Sequence, residues 1–150
     1  MAGSSTPLGS SPRGIPDTDP TYQSLVSKGA VGLYSVHVSL GSPYVLTTSE
    51  ADVGMQVKLL YGGDYLFFGV FDIESIGADG IAIIRCSVGG VNLGGEALRN
   101  VGRGTTPQTW HKSGVAPGTI VKIRGLRQGA VGTWAVNAGH SVLSALRIGP

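Results

Sequence analysis

The chain has 150 residues, of which 41% are hydrophobic, 13% are charged and 25 are glycine, and its formal net charge is +2. The length allows one domain with a core of its own, and the high hydrophobic share excludes disorder driven by charge over most of the chain. Many glycines and few charged residues are typical of short strands joined by tight turns. We therefore predict an all-β fold, either an antiparallel β-sandwich or a small β-barrel, with an extended N-terminal arm.

The arm is predicted to comprise residues 1–24, and residues 25–150 are predicted to form a single β domain. Residues 1–20 contain four Ser, four Pro and three Gly, a composition that does not build a domain element by itself. The first residues lack the basic start and apolar block of a signal peptide. No stretch approaches the roughly 20 apolar residues of a membrane helix, so we expect no membrane partner.

The first strands follow from alternation of polar and apolar residues. Residues 33–40 alternate with a period of two and place His37 on the more polar face, where we expect a solvated side chain. "GSPY" then predicts a turn before a short strand, "YVLTT". Residues 48–54 are interpreted as a single helical turn that begins at Thr48 or Ser49 and ends at Gly54.

Two β-hairpins are predicted further along the chain. "YLFFGVFDIESI" is a long strand with a bulge or bend at Gly69, and "GADG" joins it to "IAIIRCSV". "TIVKIRGL" and "TWAVNA" are predicted to pair through the turn "RQGAVG". Adjacent strands of this kind are interpreted as antiparallel neighbours, and "HSVLSALRI" is the last strand.

Residues 89–118 show no clear strand or helix period and are predicted to form a long loop. Connections of this length in compact domains usually have a function. We interpret the segment as a docking loop whose partner contacts come from Arg99, Arg103, Trp110 and Lys112. On this hypothesis Trp110 anchors in a pocket of the partner, and Trp110→Ala leaves the isolated protein folded.

The charges are unevenly distributed along the chain. Residues 31–98 hold seven acids and two bases, whereas residues 99–150 hold seven bases and no acid. Three interpretations remain open: complementary patches join identical subunits, the charges neutralise each other within one subunit, or the basic half binds nucleic acid. In the last case Arg124 and Arg127 contact phosphates, and Trp110 and Trp134 stack on the bases of a single strand bound to an OB-type barrel.

We find no catalytic signature and predict neither an enzyme nor a bound metal or cofactor. His37, His111 and His140 lack the close ligand spacing of a metal site. The single cysteine, Cys86, lies in an apolar strand and is interpreted as a small buried residue. Asp72 and Glu74 are interpreted as solvated acids on an outer strand face.

The segment "TTSEADVGMQVKLLYGGDYLFFGVFDIESIGADGIAIIRCSVGG" resembles small β-rich virion proteins of tailed phages, of the capsid decoration or cement type. The resemblance implies a non-enzymatic homo-oligomer, possibly a trimer, that binds the major capsid protein or another virion protein. It also implies location in the virion after synthesis in the host cytoplasm. The alternative function is a single-stranded nucleic-acid-binding protein with an OB-like fold.

Overall fold

The computed structural model describes residues 34–150, so the predicted arm at residues 1–24 lies outside the described part. All regular structure in residues 34–150 is β-strand, arranged as two antiparallel sheets packed as a sandwich. The all-β prediction is confirmed, and of the two predicted forms the sandwich is correct. The strands are β1 (Ser35–Ser39), β2 (Tyr44–Val45), β3 (Ala51–Lys58), β4 (Gly63–Ile76), β5 (Ile81–Val88), β6 (Val91–Asn92), β7 (Ala97–Arg99), β8 (Arg103–Val115), β9 (Ile120–Gln128), β10 (Thr133–Val136) and β11 (Val142–Gly149).

The six-stranded sheet is built around β4, which has 14 residues. Strand β8 runs antiparallel along one side of β4. Strands β11 and β10 lie one after the other along its opposite side, and β1 and β2 pair with them further out. In the five-stranded sheet, β9 lies between β3 and β5, and β5 also pairs with β6 and β7.

The core lies between the sheets and is filled by the inward residues of the long strands. In β4 these are Tyr65, Phe67, Phe71 and Ile73, each fully buried. Gly69 belongs to the same inward row, and a Cβ added there would lie 2.3 Å from the Phe71 ring. Its backbone pairs regularly with β8 and β11, so the predicted bulge at this glycine is wrong. Glycine is present because an aromatic ring occupies the side-chain space.

The two predicted hairpins are also wrong. Strands β4 and β5 belong to different sheets, as do β9 and β10. The intervening turns carry the chain across the core, because each strand's apolar face needs a partner face on the opposite sheet. The two crossing turns contact each other: the Val131 N–H donates to Oδ1 of Asp79 at 2.8 Å.

The predicted helical turn at residues 48–54 is replaced by a strand, since β3 begins at Ala51. Gly54 has a φ of 93° and lies where the pairing register shifts between Asp52 and Gln56. Its positive φ therefore serves a β-bulge within the strand, a position that favours glycine.

The long loop predicted at residues 89–118 is wrong as well, because this segment contains β6, β7 and β8. Strand β8 alone has 13 residues and pairs with β4 along nearly its whole length. The sequence hides this strand because its outward positions are polar and its inward positions include Gly104 and Gln108. Hydrophobic alternation is therefore weak, although the three threonines of β8 favour a strand.

Candidate functional site

The residues predicted to bind a partner do not form one patch. Arg99 and Arg103 lie at the start of β8, and Lys112 lies near its other end. Arg124 and Arg127 lie on β9, in the opposite sheet. A partner-binding role for these five residues stays a prediction, but the docking loop that was to carry three of them is a regular strand.

Trp110, the predicted docking anchor, is a core residue with 2% of its surface exposed. Its Nε1–H donates to the Gly95 carbonyl at 2.9 Å, and its ring packs against Phe71. Trp134 is fully buried and donates to the Asp79 carbonyl at 3.0 Å. The expectation of an exposed Trp110 is wrong, and neither tryptophan offers a surface on which bases stack.

The outer face of the five-stranded sheet is charged, and we call it the charged face. Its charged residues are Glu50, Asp52, Arg85, Glu96, Lys122 and Arg124. Arg85 binds both Glu96 and Glu50, the latter at 2.8 Å. Burial acts to raise the pKa of Glu50, but hydrogen bonds from Asn92 and Arg85 outweigh it and hold that pKa below its ordinary value.

The acidic and basic halves of the sequence neutralise each other within the subunit. Arg124 lies 3.3 Å from Glu50 and 3.4 Å from Asp52, and Lys122 contacts Asp52 at 2.7 Å. A further pair, Arg103 with Asp72, joins the two halves on the other sheet. Of the three interpretations of the charge distribution, these contacts support internal neutralisation.

A shallow groove of about 640 Å³ opens on the charged face. Its lining residues are Asp52, Gln56, Ser87, Gly89, Gly90, Ile120, Lys122 and Arg124. The lining contains no aromatic ring, and its cations are paired with acids of the same face. A ligand would have to compete with these internal ion pairs.

The outer face of the six-stranded sheet is different, and we call its central part the apolar face. Directly opposed residues on adjacent strands point to the same side of a sheet, so the register defines three rows across β1, β11, β4 and β8. The rows are Ser35–Leu146–Leu66–His111, His37–Ser144–Phe68–Thr109 and Ser39–Val142–Val70–Pro107. None of these residues is Asp, Glu, Lys or Arg. Phe68 and Val70, at the centre, are 40% and 42% exposed.

A buried carboxylate borders this face. Asp72 is 4% exposed, so its interpretation as a solvated acid is wrong. Hydrogen bonds from Arg103 lower the pKa of Asp72, although burial opposes them. Glu74 accepts a hydrogen bond from Asn137 Nδ2 at 3.2 Å. The carboxyl groups are thus held by neighbouring side chains and do not form a pair of free acids.

The remaining candidates for chemistry lie apart. Cys86 is fully buried, as predicted, and burial raises its pKa to about 12. His37, His111 and His140 are each exposed on separate elements. Residues 34–150 contain no group of three or more His, Cys, Asp or Glu side chains suited to holding a metal ion. Within the same range, no helix has the length and hydropathy needed to cross a membrane.

No protein-family model matches the chain, and no curated protein matches it by sequence. Among solved structures, murine APRIL at pH 8.5 is similar, with a TM-score of 0.55 and 9% identity over 78% of this chain and 100% of that chain. A chain of the infectious bursal disease virus Gx strain has a TM-score of 0.51 and 9% identity over 77% of this chain and 33% of that chain.

The D431N mutant of VP2 from the same virus, in T=1 particles, is also similar, with a TM-score of 0.51 and 9% identity. That match covers 78% of this chain and 32% of the VP2 chain, so the present chain spans about a third of the length of each viral chain. At these identities the likeness concerns the fold alone, which is jelly-roll-like.

Proposed function

We propose that this protein is a non-enzymatic structural component of a virus particle. In this proposal it decorates and stabilises a phage capsid by binding the major capsid protein or another virion protein, and it acts as a homo-oligomer. It resides in the virion after synthesis in the host cytoplasm. The observation that carries the proposal is the contrast between the two sheets: one outer face is neutralised by its own ion pairs, and the other is apolar and open.

An apolar sheet face suits binding to another protein better than it suits catalysis. Contiguous exposed apolar patches on folded domains mark interaction surfaces. Active sites are concave and combine a few convergent polar groups. Here the apolar face is a sheet surface with Phe68 and Val70 at its centre, and the groove described above lies on the opposite sheet with its cations paired.

The fold supports the same proposal in a more general way. A jelly-roll-like sandwich occurs in the T=1 particle protein of infectious bursal disease virus. The resemblance of residues 47–90 to tailed-phage decoration proteins adds the specific role. The proposal does not depend on the docking loop or on Trp110, both of which were misplaced by the sequence interpretation.

The test is co-sedimentation of the full-length protein with capsids that lack it, prepared from the virus that encodes it. We expect the protein to pellet with the capsids and to raise the temperature at which they rupture. The matching measurement for the alternative is binding to single-stranded DNA across a range of salt concentrations, with Arg124→Ala/Arg127→Ala as the variant. Steep salt-dependent binding that weakens by about one unit of slope per lost phosphate contact, without binding to capsids, would refute the proposal.

A further inference from the structure

We infer that the apolar face is the surface on which a second copy of this chain packs. The inference deepens the proposed function and rests on it in one respect, namely that the protein acts as a homo-oligomer. It names the surface, and it excludes the free edge of β8 as the main route of association. Three properties of the face lead to this conclusion: its area, its charge distribution and the protection of the neighbouring strand edge.

The area of the face matches that of a stable contact. Strand β4 has 14 residues, which at about 3.4 Å per residue gives a length of about 48 Å. Four strands spaced about 4.8 Å apart give a width of about 19 Å, and hence a face of roughly 900 Å². A specific interface of standard size buries about 800 Å² on each partner. Two copies of this face therefore provide enough surface without help from another element.

The charge distribution suits contact between identical faces. In a twofold contact each patch meets its own copy, so a formal charge near the axis would lie close to an identical charge. The three central rows avoid this cost because they contain none of the four charged residue types. Charges occur beyond the rows, at Asp64 and Lys112 on one side and at the Asp72–Arg103 pair on the other. An apolar centre with a polar rim is the usual anatomy of an interface.

The edge of β8 is protected against the competing mode of association, the addition of a further strand. Among the described residues, β8 pairs with β4 alone. The Arg103 carbonyl already accepts a hydrogen bond from Arg99 Nη2 at 2.8 Å, and the Thr109 carbonyl accepts one from the Gln108 side chain at 3.3 Å. Pro107 has no N–H to donate. Occupied carbonyls and proline are features that prevent edge pairing, so association is directed to the face of the sheet.

The test compares Phe68→Glu on the apolar face with Gln56→Glu on the charged face, as a matched change at another exposed strand position. Sedimentation equilibrium of the full-length protein, from micromolar to millimolar concentration and without capsids, measures self-association. We expect the wild type and Gln56→Glu to associate equally. We expect Phe68→Glu to raise the dissociation constant at least about tenfold, because two identical charges would be brought together. The unfolding temperatures at low concentration should agree, because Phe68 is 40% exposed.

Several results would overturn the inference. One is a wild type that stays monomeric throughout, and another is equal association of the two variants. A third is hydrogen exchange that shows the face protected to the same degree at every concentration, since residues 1–33 of the same chain would then cover it. Loss of capsid binding by Phe68→Glu with intact self-association would assign the face to the capsid protein. Conversely, wild-type self-association through this face without capsid binding would refute the proposed function and leave the inference standing.

Discussion

The guanidinium of Arg103 holds the carboxylate of Asp72 through two hydrogen bonds, Nε to Oδ1 at 3.2 Å and Nη2 to Oδ2 at 2.7 Å. Arg103 is the first residue of β8, and Asp72 lies on the central strand β4. The backbone of Asp72 contacts the opposite side of the sheet, where its N–H donates to Ser141 Oγ and its carbonyl accepts from the Asn137 N–H. Asp72 therefore connects three neighbouring segments of the six-stranded sheet.

Arg103→Ala should destabilise the protein by about 1–3 kcal/mol, because it leaves a buried carboxylate without its charged partner. Chemical denaturation at neutral pH measures this change. Lys112→Ala, an exposed cation near the other end of β8, is the matched control and should stay within about 0.5 kcal/mol of the wild type. Equal effects of the two changes would show that the Arg103–Asp72 contact contributes nothing to stability.

The same pair predicts how stability depends on pH. The pKa of Asp72 is lowered in the folded state, chiefly by its hydrogen bonds with Arg103. Its contribution is therefore complete above the ordinary carboxyl pKa and is lost as the pH falls through the lowered value. Arg103→Ala removes the main cause of this shift, so the difference in stability between wild type and variant should shrink in acid. A difference that stays constant from neutral to acidic pH would contradict this assignment.

Trp110→Ala should cost about 3–5 kcal/mol of folding stability, as truncation of a buried aromatic side chain does. Trp110→Phe keeps much of the packing and removes the hydrogen bond to Gly95, so a loss of about 1 kcal/mol is expected. Thermal and denaturant unfolding of the isolated protein measure both changes. A Trp110→Ala variant as stable as the wild type would mean that the side chain lies at the surface.

Gly69→Ala should destabilise the protein by about 1–3 kcal/mol, because the added methyl group overpacks the core against Phe71. Gly41→Ala is the matched control, since a Cβ there meets nothing within 4 Å. Denaturant unfolding compares the two. Adding Phe71→Leu to the Gly69→Ala background should remove part of the clash, and a purely additive double variant would argue against direct contact.

Cys86 should not react with thiol reagents in the folded protein at mildly alkaline pH. Its side chain is fully buried, and its pKa is raised to about 12, so little thiolate forms and reagents have no access. The expected rate of modification follows global unfolding and rises with denaturant. Rapid labelling of the native protein would show that β5 opens locally.

Features that depend on neighbouring residues were predictable from the sequence. The alternation around His37 correctly placed β1 and its exposed face, and the apolar run around Cys86 correctly indicated a buried strand. Glycine-rich turns between apolar runs indicated an all-β fold, and the sandwich was one of the two forms predicted. These features follow from side-chain direction and turn chemistry, which act over a few residues.

The tertiary structure decided which strands pair and what each exposed residue faces. A turn such as "GADG" joins two strands equally well within one sheet or across the core, so β4 and β5 looked like a hairpin although they lie in different sheets. Strand β8 lacked a clear hydrophobic period because its stability comes from pairing with β4, and with it Trp110 moved from an assumed loop into the core. Acids and bases far apart in the sequence became ion pairs because β3, β5 and β9 lie side by side. The apolar face likewise exists only where β1, β11, β4 and β8 meet, since its rows combine residues from distant parts of the chain through backbone hydrogen bonds between strands.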